Sequence, residues 1–531
     1  MKKITIVFLF TYSLVILKSF SQTQFQRSID FGNDDYGNQI ANYNGNNFII
    51  GSTNSTGAGG YDAMLLKTDS IGNVLFQKQF GGSSTEFGTK LKITSAGKII
   101  GIGRSNSFST TANHDFFVFQ CDENGTLEWS TVFGTDSLEY AFAIDETGDG
   151  GFAICGQTKT NDKFDILLVK INSAGTVQWA KTIGNPLASE VVYDIKALGS
   201  DGFALFGFSS LGSIGINEAM ILFVDTSGNY SRVNIFGGTG DDDIRNFANG
   251  SQNSFYTAGN TRSFGAGLGD FFLAKFDVSS FPPSLIWFKT YGGALEESFS
   301  SIVKSDSNFV LSGFTQSFGS GDNGIVIKVD SEGEVIWAGS YGDNGSDLIQ
   351  CVANNPSGGY FLAGFSNSFG GTANNIFILN TDSLGFTGCN FNSISLSASA
   401  QVATFVDTIT SGFVSFTPPD FAVRTANVIQ NSGVAVNNLL CSNDIKEEKN
   451  PSVKSSVYPN PANDILYFDF SGNEKGNIKI LNSAGIMIES NLIHMKNNHS
   501  VMDVSSFSPG IYMVIFNSPF RQIVSRFSII R

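Results

Sequence analysis

The chain has 531 residues, 41% apolar and 13% aromatic, with 59 glycines and only 11 prolines. It is long enough for more than one domain and a large core, and this composition excludes a disordered polymer. The net charge of −15, with only 15% charged residues, excludes a nucleic-acid or anionic-membrane surface built on clustered lysine and arginine. Such a chain remains compatible with cations or neutral glycans.

The first segment reads as a signal peptide over residues 1–21. Lys2 and Lys3 precede an apolar run from Ile4 to Ile16, and Ser19-Phe20-Ser21 supplies small residues before a cut between Ser21 and Gln22. No later run of about 18 apolar residues follows, so no transmembrane segment is expected after signal removal. Outside the cytoplasm disulfides are permitted. Of five cysteines, Cys389 and Cys441 bracket one segment and are the candidate disulfide. Cys121, Cys155 and Cys351 lie in apolar strand patterns and are expected to be buried, inert thiols.

From residue 22 to 385 the chain repeats with a period of about 50 residues. An aromatic or Ile followed by Gly recurs at Phe31, Phe80, Phe133, Ile183, Phe236, Tyr291 and Tyr341. Gly-x-Ser/Thr recurs at Gly51, Gly103, Gly156, Gly207, Gly259, Gly313 and Gly364. Asp/Asn-x-x-Gly turns begin at Asp69, Asn172 and Asp330. In the copy from Glu190 to Gly237, four runs of alternating apolar residues are separated by Asp, Asn, Ser and Gly, as antiparallel strands require. Four strands cannot bury both sheet faces alone, so the copies must stack. The expected fold is all-β, a seven-bladed β-propeller with four-stranded blades. The seventh copy lacks its outer strand, while Phe25 to Phe31 has outer-strand spacing without the rest of a copy. The N-terminal strand is therefore expected to close the last blade. Trp129, Trp179, Trp287 and Trp337, each four residues before an anchor, are expected to pack between blades.

Residues 386–444 read as a β-rich spacer or small module, and 445–455 as a polar linker. The texture changes again over 456–531. The propeller copies, through Tyr291-Gly292-Gly293, Asp149-Gly150-Gly151-Phe152 and Trp179-x-Lys181-Thr182, resemble YGG-type β-propeller repeats of secreted proteins. That resemblance implies a fold and no single activity. The last segment resembles the type A C-terminal sorting domain of the type IX secretion system of the Bacteroidetes. The likeness rests on Tyr458, Pro459, Asn460 and Pro461, on Lys479-Ile480-Leu481-Asn482 to Gly485, on Ser508-Pro509-Gly510-Ile511-Tyr512, and on Arg531. It implies a small C-terminal β-sandwich, the type IX machinery as a partner, and a destination at the cell surface or beyond.

No catalytic constellation emerges. The chain has three histidines; His494 and His499 fall in the last segment, leaving His114 alone in the propeller. One carboxylate follows each anchor: Asp35, Glu86, Glu139, Glu190, Asp242, Glu297 and Asp347. Seven such groups at the channel mouth would repel one another unless hydrogen bonds or a cation compensated. Backbone hydrogen bonds that fix each blade are the favoured reading, and a Ca²⁺ ring the alternative; no cofactor is assigned otherwise. The longer loops carrying Ser263-Phe264-Gly265, Ser317-Phe318-Gly319 and Ser368-Phe369-Gly370 are expected to tuck their phenylalanines inward. The function expected is non-enzymatic adhesion or binding of a glycan or a surface protein. The alternatives are a polysaccharide-active hydrolase or lyase using loop carboxylates, and a purely structural surface component.

Overall fold

The computed structural model describes residues 24–442, apart from 110, 212–214, 252, 280, 370–372, 407–411 and 434. It also describes 455–529, apart from 459–461, 463, 471–474, 483–486, 495–498 and 518–521. The expected signal peptide, residues 445–454 of the expected linker, and Pro459, Asn460, Pro461, Gly485 and Arg531 lie outside the described residues. The chain divides into two compact units, Met1–Asn443 and Asp444–Arg531. Among the described residues no helix is long and apolar enough to cross a membrane.

The first unit is a seven-bladed β-propeller. Blade 3 shows the plan, with strands Glu139–Glu146, Phe152–Thr160, Lys163–Ile171 and Val177–Gly184 paired antiparallel in sequence order from the axis outward. The innermost strands lie close around the axis: the Lys90 Nζ of blade 2 donates to the Tyr193 carbonyl oxygen of blade 4 at 3.1 Å and lies 3.3 Å from Asp194. Each innermost strand carries a bulge near its start, between Ala141 and Ala143 in blade 3 and at the equivalent place in the other six. A bulge bends a strand and re-aims a side chain. It also explains the recurring Gly of Gly-x-Ser/Thr. A Cβ on Gly51 or Gly103 would lie 1.7 Å from the carbonyl oxygen of Tyr36 or Phe87 on the bulged strand.

Ring closure is as the repeat register implies. Phe25–Asp30 pairs with Asn375–Thr381 and becomes the fourth strand of blade 7. The tryptophans pack between blades. Trp129, Trp179, Trp287 and Trp337 cover Gly175, Gly228, Gly333 and Gly385 in the outer turn of the next blade, where a Cβ would meet the indole ring at 2.6–2.8 Å. Those turns are fixed by their acidic or amide residue: Asp69 Oδ1 accepts from the N–H groups of Ile71 and Asn73, and Asn172 Oδ1 from those of Ala174 and Thr176.

The blades differ from the expected four strands, because residues 386–442 form neither a spacer nor a separate module. They form a belt. Its strands Phe391–Ile394, Ser399–Gln401, Thr404–Val406, Val414–Phe416, Ala422–Thr425, Ile429–Asn431 and Val436–Ser442 add a fifth, outermost strand to blades 6, 5, 4, 3, 2, 1 and 7 in that order. Each outer edge thereby gains a partner for its backbone groups. The belt also inserts apolar side chains into the clusters between blades, among them Phe391, Ile394, Phe413, Phe421 and Ala426. Its two ends meet on the N-terminal strand. Gln26 is the register partner of Cys441, and its Nε2 donates to the Cys389 carbonyl oxygen at 2.7 Å. Cys389 is disulfide-bonded, while Cys121, Cys155 and Cys351 are free and buried. The side chain of Cys441, its expected partner, lies outside the described residues.

The second unit has a three-stranded sheet, Ser455–Tyr458, Ile465–Phe470 and His499–Asp503, and a four-stranded sheet built from Lys475–Asn482, Met487–His494, Gly510–Asn517 and Gln522–Ile529. Leu466 and Met502 of the first join Ile478, Ile480, Tyr512, Val514 and Phe527 of the second in one apolar cluster.

A disulfide from Cys389 to its expected partner Cys441 would cross-link the two ends of the belt and restrict the unfolded chain by up to about 4 kcal/mol in the chain-entropy picture. We expect Cys389→Ser to lower the melting temperature and to open protease cleavage within 386–442 before the blades are cut. Unchanged melting and cleavage would mean that strand pairing alone holds the belt.

Candidate functional site

Strand order places the seven sequence-identified carboxylates at the start of the innermost strands, the end of the axis called the mouth here. All seven are buried, at 0–2% exposure. Each is held by the same set of donors. Glu139 accepts from the Thr135 N–H at 3.2 Å and the Thr158 hydroxyl at 2.7 Å; Glu190 accepts from the Asn185 N–H at 3.0 Å and the Ser209 hydroxyl at 2.9 Å. Asp35, Glu86, Asp242, Glu297 and Asp347 repeat the pattern. The backbone donor lies in the connection that enters the blade, and the hydroxyl is the Ser/Thr of Gly-x-Ser/Thr in the same blade; at Asp35 this Thr53 is joined by Ser55, which donates at 3.0 Å. These carboxylates therefore clamp each blade's entry to its second strand. They do not converge: among the described residues no group of three or more His, Cys, Asp or Glu side chains is placed to hold a metal ion.

Sequence reasoning missed a second acidic series. Asp62, Asp115, Glu218 and Asp270 open the third strands of blades 1, 2, 4 and 5, and Asp165 stands third in that of blade 3, all buried next to the clamp of the following blade. The glycine after each anchor is the only room between the two acids. A Cβ on Gly292 would lie 1.7 Å from Asp270 Oδ1 and 2.7 Å from Glu297 Oε2, and Gly81 and Gly134 are placed alike. In blades 6 and 7 the position is Asn323 and Asn375. A sequence signal was available: Asp62, Asp115, Asp165, Glu218 and Asn323 each stand 18 residues before the following anchor, and only the insertion with Pro282 and Pro283 displaces Asp270.

Burial pushes the carboxyls of Asp35, Asp62 and Asp270 up to about 6, and Glu86 and Glu297 add to the rise at Asp62 and Asp270. Glu190 is pushed up to about 7 by burial, with a smaller push from Asp165. Asp115 is raised by burial and by Glu139 beside it, against the pull of Arg424 from the belt, 2.6 Å away.

A different set of side chains lines the mouth toward blades 7 and 1 to 4. Tyr36, Phe87 and Tyr140 directly follow the clamp carboxylates, and Phe142 and Tyr193 occupy the bulges of blades 3 and 4. With Phe365, Tyr61, His114 and Phe208 they form a continuous arc of half-buried rings. Phe365 meets Tyr36 edge-on at 4.9 Å, Tyr61 stacks on Phe87 at 5.0 Å, and His114 meets Tyr140 at 5.7 Å. Phe142 meets Tyr193 at 5.3 Å, and Tyr193 meets Phe208 at 6.2 Å. Arg104, opposite Phe87 across the sheet, packs against the rings of Phe87 and Tyr140, its guanidinium 4.4 and 4.0 Å from their centroids. In blades 5 and 6 the residues after the clamp are Asp243 and Ser298, so the arc stops. One sequence signal was available: the residue after the clamp is aromatic only in blades 1 to 3.

The remaining candidates fall out as packing. Phe264, Phe318 and Phe369 of the longer loops pack against inter-blade clusters. In the second unit, Tyr458 is exposed and stacks on Tyr467 at 5.5 Å, and exposed Gly510 begins a strand. Tyr512 is buried and donates to the Ser508 carbonyl oxygen at 2.7 Å.

A carboxyl whose pKa is raised by folding holds its proton more tightly in the folded chain, so it stabilises as the pH falls and costs stability as the pH rises through the folded value. We therefore expect the melting temperature to rise from pH 8 to pH 5. Carboxyls held low, such as Asp145 and Asp149, work against the fold only in stronger acid. Asp270→Asn, the residue type that blades 6 and 7 already carry there, should raise melting at pH 8 by on the order of 1–3 kcal/mol of stability, since one unit is about 1.4 kcal/mol. It should also flatten the profile. A melting temperature that instead falls from pH 8 to pH 5 would contradict this account of the inter-blade acids.

No curated protein matches the chain. Residues 456–530 match the family model described as a secretion system C-terminal sorting domain. The propeller is therefore cargo of a type IX secretion system, bound for the cell surface or the extracellular space, and residues 456–530 are the domain that addresses it there.

Proposed function

We propose that the exported propeller is a non-enzymatic binding protein that engages a glycan at its mouth. The observation that carries this reading is the aromatic arc, which breaks the sevenfold repeat on one side of the axis while the structural anchors around it stay uniform. Half-buried rings offer apolar faces to the C–H faces of sugar rings, and phenol and amide groups beside them offer hydrogen bonds to hydroxyls. Tyr36 already accepts from Asn374 Nδ2 at 3.0 Å through its hydroxyl. Binding is favoured over hydrolysis or lysis because the clamp carboxylates spend their oxygens on donors within their own blades, and the inter-blade acids are buried beside them.

The test is glycan-array binding of the full exported chain beside Phe87→Ala and Tyr140→Ala. Each substitution should weaken a reproducible hit about tenfold, ~1.4 kcal/mol, without lowering the melting temperature by more than a few degrees. No hit at all, or a hit indifferent to both substitutions, would remove the reading. Release of new sugar ends on incubation would favour the enzyme instead.

A further inference from the structure

We propose that the mouth selects an acidic glycan and that Arg104 reads its carboxylate. This rests on the glycan-binding reading and narrows it to uronate-bearing chains. A second arginine stands at the mouth for comparison. Arg245 in blade 5 also lies on a tyrosine, 3.9 Å from the Tyr193 centroid, and there the protein supplies the counter-charge. Asp243 holds that guanidinium through two bonds, Nε to Oδ1 at 2.8 Å and Nη2 to Oδ2 at 2.9 Å. The Arg104 guanidinium is stacked in the same manner yet makes no ion pair or hydrogen bond to any described residue, and its Nε is buried without an acceptor.

A guanidinium packed against two aromatic rings keeps its N–H donors in its own plane. That edge matches the two oxygens of a carboxylate, as Asp243 demonstrates on Arg245. His114 beside it adds a second unspent group, since its Nδ1 is buried with no partner. Burial and the neighbouring Arg104 charge hold His114 below its usual pKa, so the positive charge at this point belongs to Arg104. In a chain of net charge −15, an unopposed cation set against aromatic rings is a place for one anion. A pyranose with its carboxylate on the ring brings both parts at once: a charged edge for Arg104, and for the adjoining sugars an apolar face toward Tyr61 or Phe142. An acidic peptide would offer the charge without the stacking faces.

The test uses the full exported chain with tetragalacturonic acid, with the methyl ester of the same tetrasaccharide, and with an oligoglutamate peptide of equal charge. The free acid should bind at least tenfold more tightly than its ester and the peptide, with affinity falling as salt rises. Arg104→Gln should bring the acid-to-ester ratio close to one, and Arg104→Lys should restore part of it. Because the Arg104 guanidinium makes no ion pair or hydrogen bond within the protein, Arg104→Lys, which keeps a cation against Phe87 and Tyr140, should melt close to the unmodified chain, and Arg104→Gln should lower melting by no more than a few degrees. Equal binding of acid and ester, or a ratio unmoved by Arg104→Gln, overturns the inference while leaving glycan binding intact. Peptide binding as tight as that of the free acid overturns the glycan selectivity. Binding to none of the three overturns the inference, and an array that still shows a neutral hit would keep the broader reading alive.

Discussion

A stacked ring of sheets has two exposed problems, and the chain meets both with hydrogen bonds. At the axis, each blade must enter at a fixed height and angle, and a buried carboxylate secures this by joining the entering backbone to the second strand. At the rim, each fourth strand would leave a row of unpaired backbone groups in solvent, an edge open to pairing with another chain. Here the rim constraint dominates the architecture. It draws 386–442 away from forming a domain of its own and lays it across seven sheets, with apolar side chains wedged into the spaces that the four-stranded repeats leave open.

The mouth shows how a repeated frame makes room for one asymmetric feature. Positions that carry the frame are occupied alike in every blade: the clamp carboxylate, the Gly beneath the bulge, and the Gly under each neighbouring indole ring where tryptophan is present. Positions beside them are free to differ. Tyr36, Phe87 and Tyr140 stand one residue from a clamp, and Arg104 stands between the Gly and Ser of an anchor. Binding chemistry can thus be varied on one side of the axis without disturbing the bonds that hold the blades.

How much of this was legible in the sequence follows from the distance between partners. The seven copies, the closing N-terminal strand, the outer turns at Asp69 and Asn172, and the inter-blade tryptophans were readable because each depends on residues close in the chain or repeated at a fixed period. The belt was not. Strands such as Ser399–Gln401 are three residues long, too short for a periodic pattern, and their partners lie up to hundreds of residues earlier. The inter-blade acids were periodic as well, 18 residues before the anchors that follow them in blades 1 to 4, and escaped because their pairing with the clamp of the next blade exists only in the fold. The arc escaped for a related reason: a search for repetition discards Phe87, Arg104 and Tyr140 as variation, and only the fold brings them around one guanidinium.

The belt also works as a counting device. It carries one strand for each blade and runs against the order in which the blades follow one another along the chain. A duplicated repeat would arrive with a bare edge, and a deleted one would leave a belt strand with no sheet to join, so a change in blade number must be matched by a second, separate change some distance downstream. Repeat arrays usually grow and shrink by single recombination events. In this architecture such an event yields an unsealed ring, which makes seven a number the chain is constrained to keep.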